Sequence, residues 1–165
     1  MIFQHTIAQV LDGSKTQTRR LALPDSNGTG EQPCEMIGWP NGIKSVQRLD
    51  DMHNLWITKW QVGKTYAIQP GRGKKAVGRI RITDIRRECV QDISEDDARA
   101  EGIEYSIEVN TVGSLATQIE FGFTIGRRRD VYAELWDTIH TKPGTRWVDN
   151  PEVFVLTFEL VEPTS

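Results

Sequence analysis

Gly13-Ser14-Lys15-Thr16-Gln17-Thr18-Arg19-Arg20 stands at the junction of two residue periodicities. Upstream, Phe3, Ile7, Val10 and Leu11 recur at helical spacing, which predicts an amphipathic helix from Phe3 to Asp12 with one buried face. Gly13 follows that helix, where a left-handed residue commonly ends the last turn. Downstream, Thr-Gln-Thr-Arg-Arg-Leu alternates and carries β-branched residues, the pattern of a strand. On a strand Thr16, Thr18 and Arg20 share one face. A lysine, two threonines and two arginines at a helix-to-strand turn can hold an anion or a polar planar ligand. They also place a hydroxyl nucleophile near an amine able to act as its base.

Working outward, Pro24 to Gly42 is rich in Gly, Pro, Asn and Ser without periodicity, which predicts a long surface loop. Such a length is uncommon unless the loop covers a site or moves. Gly63 to Gln69 reads as a turn entering a strand, and Pro70-Gly71-Arg72-Gly73 punctuates it. Ala76 to Arg87 alternates, with Ile80 and Ile82 on one face and Arg79 and Arg81 on the other. Ile93 to Gly102 is a short helix with Ser94 as its cap, Asp97 three residues on and Gly102 closing it. Residues 103–125 are ambiguous between strand and loop. Asp130 to His140 predicts a second amphipathic helix, with Val131, Leu135 and Ile139 as its stripe and Tyr132 and Trp136 beside it. After Lys142-Pro143-Gly144 stops that helix, Val153 to Val161 reads as a strand dense in β-branched and aromatic residues. Helices inserted among irregularly spaced strands define an α+β class without internal repeats.

A chain of 165 residues with this apolar content fits a single domain, 1–165. No apolar run approaches membrane-spanning length, and MIFQHTIAQV lacks the pattern of a signal peptide, so a cytoplasmic protein without a membrane partner is expected. Cys34 and Cys89 are too few for a disulfide framework and read as reduced thiols. The net charge of −3 argues against a nucleic-acid coat protein, but the charge is unevenly spread. Arg72, Lys74, Lys75, Arg79, Arg81, Arg86 and Arg87 stand against a lone Asp84, and the charged residues from Glu88 to Glu108 are all acidic but Arg99. That stretch is either a phosphate-binding face or a solvated strand edge. Arg127-Arg128-Arg129 is most simply a solvated helix start, although cations there oppose the dipole, a hint of an anionic partner.

Several motifs fail. Gly63-Lys64-Thr65 would need an upstream glycine at the position of Thr58 to be a phosphate-binding loop. His5, His53 and His140 have no metal-ligand spacing, and neither a metal nor a cofactor is expected.

Three segments in order carry a resemblance: Gly13-x-Lys15-Thr16-x-Thr18-x-Arg20; then Asp92-Ile93-Ser94-x-x-Asp97-Ala98-x-x-Glu101-Gly102; then Leu135-Trp136 through Trp147-x-x-Asn150-Pro151-x-Val153 to Phe158-Glu159-Leu160. Together they resemble the ASCH-domain family of the PUA-like superfamily. The resemblance implies a mixed β pseudo-barrel flanked by short helices, with a cleft lined by the first segment. Some small bacterial members are metal-free amidohydrolases that deacetylate N4-acetylcytidine, using a lysine, a threonine and a glutamate. Residue by residue this implies Lys15 as base, Thr18 as nucleophile and Glu101 as acid/base, with Thr16 and Arg20 available to bind substrate. The chain is longer than those enzymes, with extra sequence at about 21–59, expected as a loop insertion, and at 103–125.

The leading expectation is hydrolysis of an N4-acylated cytidine. Trp39 and Trp56, in and after the long loop, are candidate stacking residues for the base. Trp136 and Trp147 are expected to pack the core and a corner. The competing expectation is a non-enzymatic RNA-binding module that uses the same cleft with Arg72, Lys74, Lys75, Arg79 and Arg81, and binds less tightly as salt rises. A ribonuclease is a third reading, for which the scattered histidines supply no acid–base pair.

Overall fold

The computed structural model describes residues 1–3, 5–22, 32–35, 42–49, 55–103 and 127–163. In chain order these form α1 (Ile7–Leu11), β1 (Gln17–Leu21), β2 (Gln32–Glu35), β3 (Ile43–Leu49), β4 (Trp56–Gln61), β5 (Thr65–Ile68), β6 (Gly78–Cys89), α2 (Glu95–Ala100), α3 (Arg128–Ile139) and β7 (Glu152–Pro163). Single 3-10 turns cover Val90–Asp92 and Trp147–Asp149. One sheet has the order β1-β7-β6-β5 and the other β2-β3-β4, with antiparallel pairing throughout. The class is α+β as expected, and the sheets do not close into a barrel.

The centre of the larger sheet is written in β7. Val153, Phe154, Val155 and Leu156 are all fully buried, so both faces of this strand are covered. Val153 and Val155 pack with Val90, Ile93, Ala98, Tyr132 and Trp136 beneath the helices. Phe154 and Leu156 point the other way, to Ile43, Val46, Trp60, Ile82 and Ile85, where the second sheet packs. Alternation along one strand thus feeds two cores. In β6, Ile82 and Ile85 are both buried although three positions apart, because the register against β7 shifts between Ile82 and Asp84. An extra residue there changes the phase of the alternation.

Four expectations are corrected. The first helix is shorter than Phe3 to Asp12, because the leading residues are extended: Phe3 N donates to Gln69 O at 3.0 Å and Gln69 N to Met1 O at 2.8 Å. Phe3 is still buried, its ring 5.6 Å from that of Phe158. The insertion at 21–59 is not simply a loop, since it holds β2, β3 and the start of β4, and β2 lies within the stretch 24–42. On α3 the buried residues are Tyr132 and Trp136, with Val131 and Leu135 only partly covered and Ile139 half exposed. The aromatic row faces the sheet, and the aliphatic stripe runs beside it.

The three arginines also find a simpler explanation than an external anion. Backbone N–H groups of Arg128 and Arg129 donate to the Glu95 carboxylate of α2 at 2.9 and 3.3 Å. Glu95 therefore satisfies orphan donors at the start of α3 and supplies the negative charge its dipole favours. Glu95→Ala is expected to lower stability by about 0.5–2 kcal/mol, as loss of an N-terminal cap does. A denaturation midpoint unchanged from wild type would show that the contact contributes nothing. Residues 104–126, most of the ambiguous stretch, lie outside the described residues.

Candidate active site

β1 is an edge strand, paired on one side only with β7, and the turn before it is anchored to three elements. Lys15 N donates to Gln9 O of α1 at 2.8 Å, Thr16 N to Ala100 O of α2 at 2.8 Å, and Thr16 O accepts from Phe158 N at 2.8 Å. Gly13 ends α1 with φ 81°, as its position predicts. Gly102 ends α2 with φ 83° and lies so close to α1 and the turn that a Cβ there would sit 3.0 Å from Gln9 Cβ and 3.2 Å from Lys15 Cβ. Only glycine suits both the conformation and the approach.

The consequence is a buried contact between residues far apart in sequence. Lys15 Nζ donates to Glu101 Oε2 at 2.6 Å and to the Glu101 carbonyl at 2.7 Å, with both side chains almost fully buried. The other carboxylate oxygen, Oε1, accepts from Arg19 Nη1 at 3.2 Å. Arg19 is itself enclosed, meeting Glu88 Oε1 at 2.7 Å and Asp97 Oδ2 at 3.3 Å. Arg86 closes the network through Glu88 and Asp97 at 2.9 and 3.0 Å.

Burial holds the Lys15 ammonium below its ordinary pKa. Glu101 opposes that shift, while the Arg20 and Arg19 charges add to it. Burial, reinforced by Glu101, pushes the Tyr132 phenol well above the usual range, so it stays neutral. His140 is lowered by burial and then by the Arg20 charge, against Asp137.

These groups surround a cleft of about 210 Å³. Lys15, Thr18, Arg19, Arg20, Leu21 and Glu101 line it, together with Tyr132, Leu135, Trp136 and Ile139 of α3 and His140, which caps that helix. Ile2, Phe3, His5 and Thr6 complete the rim. His140 stacks on Trp136 with ring centroids 4.0 Å apart.

Of the sequence candidates, the structure brings Lys15, Thr18, Glu101 and Arg20 to one cleft. Thr16 is exposed and does not line it; its backbone serves as an anchor. Trp56 opens β4 in the other sheet, its backbone opposite Leu49. Trp39 lies outside the described residues. Trp136 and Trp147 both pack, Trp147 edge-on to Tyr132. Arg72, Lys74 and Lys75 are exposed between β5 and β6, Arg79 donates to Thr65 Oγ1 at 3.0 Å, and Arg81 pairs with Glu159 at 2.9 Å. None of these five lines the cleft.

Sequence reasoning missed Tyr132 and His140, and it counted His5 and His140 as scattered although both reach the cleft. One signal was present: Tyr132, Trp136 and His140 are spaced i, i+4, i+8, a planar row along one helix face. Among the described residues no group of His, Cys, Asp and Glu could hold a metal ion, and no helix is long and apolar enough to cross a membrane.

No family model and no curated protein matches the chain. Among solved structures it is similar to a crystal structure of an Enterococcus faecalis protein of family-model DUF984, with a TM-score of 0.53 and 14% identity, covering 97% of this chain and 69% of that one. It is also similar to the crystal structure of an ASCH domain from Lactobacillus crispatus, with a TM-score of 0.43 and 15% identity, covering 93% of this chain and 69% of that one. At these identities the likeness concerns the fold alone.

Proposed function

We propose that the protein is a hydrolase that cleaves the amide of an N-acylated nucleobase, of which N4-acylcytidine is the type, without a metal ion. An ASCH-like fold is compatible with a hydrolase. The observation that carries the reading is the buried 2.6 Å contact of Lys15 with Glu101 in a cleft that also takes in the Thr18 side chain. An amine and a carboxyl group sharing one proton in a low-dielectric site are one transfer away from being a base and an acid. When the proton moves from Lys15 to Glu101, the neutral amine can take the Thr18 hydroxyl proton as Oγ attacks the acyl carbon. Glu101 gives its proton to the exocyclic nitrogen as the C–N bond breaks. That releases the amino base and leaves the acyl group on Thr18 as an ester. Water then attacks the ester carbonyl, Thr18 regains its proton and the carboxylic acid departs. The planar residues of α3 supply a wall against which an aromatic base can lie.

The test is release of cytidine from N4-acetylcytidine by the purified protein in the presence of EDTA. Thr18→Val, which keeps the strand and removes the hydroxyl, is expected to abolish release. Its rate profile supplies a second prediction. Because the reaction uses the proton that Lys15 and Glu101 share, and the folded Lys15 pKa lies below its ordinary 10.5, kcat/KM should fall as pH rises along a limb whose midpoint is below that value. Stability moves the other way: between the folded and unfolded pKa the unfolded chain binds more protons, so Lys15 makes folding more favourable as pH rises through that window. An activity that keeps rising with pH through that range would exclude the proton shared by Lys15 and Glu101 from the reaction.

A further inference from the structure

The charges around the cleft do not balance. Lys15, Arg19, Arg20 and Arg86 are four cations set among three carboxylates, Glu88, Asp97 and Glu101. Every one of those carboxylates is engaged by Lys15, Arg19 or Arg86 at 3.3 Å or less. Arg20 is the cation left over: among the described residues no carboxylate lies within ion-pair distance of it. Its Nη2 donates to the Ile2 carbonyl at 2.8 Å, its guanidinium lies 5.6 Å from the centre of the Phe3 ring, and its Nε is buried with no acceptor. A buried donor of this kind is expensive to leave unmade, and guanidinium donors are best satisfied by anionic oxygens. Arg20 lines the cleft together with Lys15 and Glu101, and its charge is felt by His140 of α3 and by Lys15.

We infer that the cleft is built for a ligand bearing an anionic oxygen, which Arg20 receives beside the Lys15–Glu101 pair. The inference rests on the hydrolase reading for its substrate class: an N-acylated nucleoside that is itself an anion. The oxygen belongs either to a carboxylate at the far end of the acyl group or to a 5′-phosphate. Both present the same chemistry to a guanidinium.

The experiment compares N4-acetylcytidine, its 5′-monophosphate and N4-succinylcytidine as substrates of the wild-type protein. One of the two anions is expected to have a KM about 10- to 100-fold below that of the neutral nucleoside, the range of a charge-assisted hydrogen bond. Which of them it is identifies the source of the oxygen. In Arg20→Gln that ratio should collapse towards unity, and Arg20→Lys should keep part of it. A wild-type protein that does not distinguish the neutral compound from either anion overturns the inference, whether or not the variants fold. So does a preference that survives in folded Arg20→Gln. If none of the three is hydrolysed, the hydrolase reading has failed separately. Calorimetric affinities for the same compounds then decide: Arg20-dependent selectivity for an anion upholds the site, and equal affinities overturn it.

Discussion

Lys15→Ala is expected to slow release of the amino base by about 100- to 10,000-fold, the range for removing a positioned acid or base. The substitution takes away the group that receives the Thr18 proton and also the donor at 2.6 Å that holds Glu101 Oε2 in place. It should leave the fold standing. The Lys15 backbone N–H still reaches Gln9 O, and Glu101 keeps Arg19 as a cationic partner at 3.2 Å, so its buried carboxylate is not stranded. A stability loss of about 1–3 kcal/mol, that of one hydrogen bond to a charged group, is the expected accompaniment. Two further readings separate chemistry from scaffolding. The alkaline limb of the rate profile should vanish with the amine, and a small primary amine added to the buffer should restore part of the rate by occupying the space the side chain leaves. A folded Lys15→Ala protein that deacylates at the wild-type rate would show that the amine has no part in the reaction, whatever its burial.

The sequence was legible where local physics decides the outcome. Ser94 and Asp97 form the reciprocal cap expected of them, Gly13 and Gly102 take the left-handed conformation, and Ile80 and Ile82 are buried while Arg79 and Arg81 are exposed. Such features are set by a few adjacent residues. The helix predicted from Phe3 failed at its first half because pairing with Gln69, a partner 66 positions away from Phe3, outweighs a weak helical pattern. β2 was hidden in a Gly- and Pro-rich stretch because a four-residue strand carries too few positions for periodicity to show. At the site, the Lys15–Thr18 pairing was legible within one turn, whereas Glu101 was reached through a resemblance, since no spacing rule brings positions 15 and 101 together. The buried ion pairs of Arg19 were not legible, because an arginine in that turn and strand shows only its charge. Its partners Glu88 and Asp97 belong to β6 and α2, and only the packing of those elements against β1 turns an apparent surface charge into a core one.

That core charge carries the largest expected effect on stability. Arg19→Met should destabilise the fold by about 3–5 kcal/mol, as breaking a buried ion pair from one side does. Its guanidinium side chain has no exposure to solvent and meets three carboxylates, at 2.7 Å from Glu88, 3.2 Å from Glu101 and 3.3 Å from Asp97. Methionine fills much of the same volume, so the deficit is electrostatic and not a cavity. Each carboxylate keeps one other cation: Lys15 for Glu101, Arg86 for Glu88 and Asp97. That is why the loss stays within the range for one pair despite three contacts. In a chain of this length such a change corresponds to a fall in Tm of about 10 °C. Acid should narrow the gap. Burial favours the neutral form of Asp97, but Arg86 and Arg19 outweigh it and hold its carboxyl below the ordinary 3.8. Its contribution is therefore complete above that value and lost as pH falls through the lower folded pKa. Wild type and Arg19→Met should differ most near neutrality and converge once the carboxylates are protonated. Exchanging Glu88→Gln in the Arg19→Met background removes one of the under-compensated charges and should recover part of the loss, whereas Glu88→Gln alone should destabilise. If the two substitutions are simply additive, Arg19 acts as packing and the charge network has no energetic meaning.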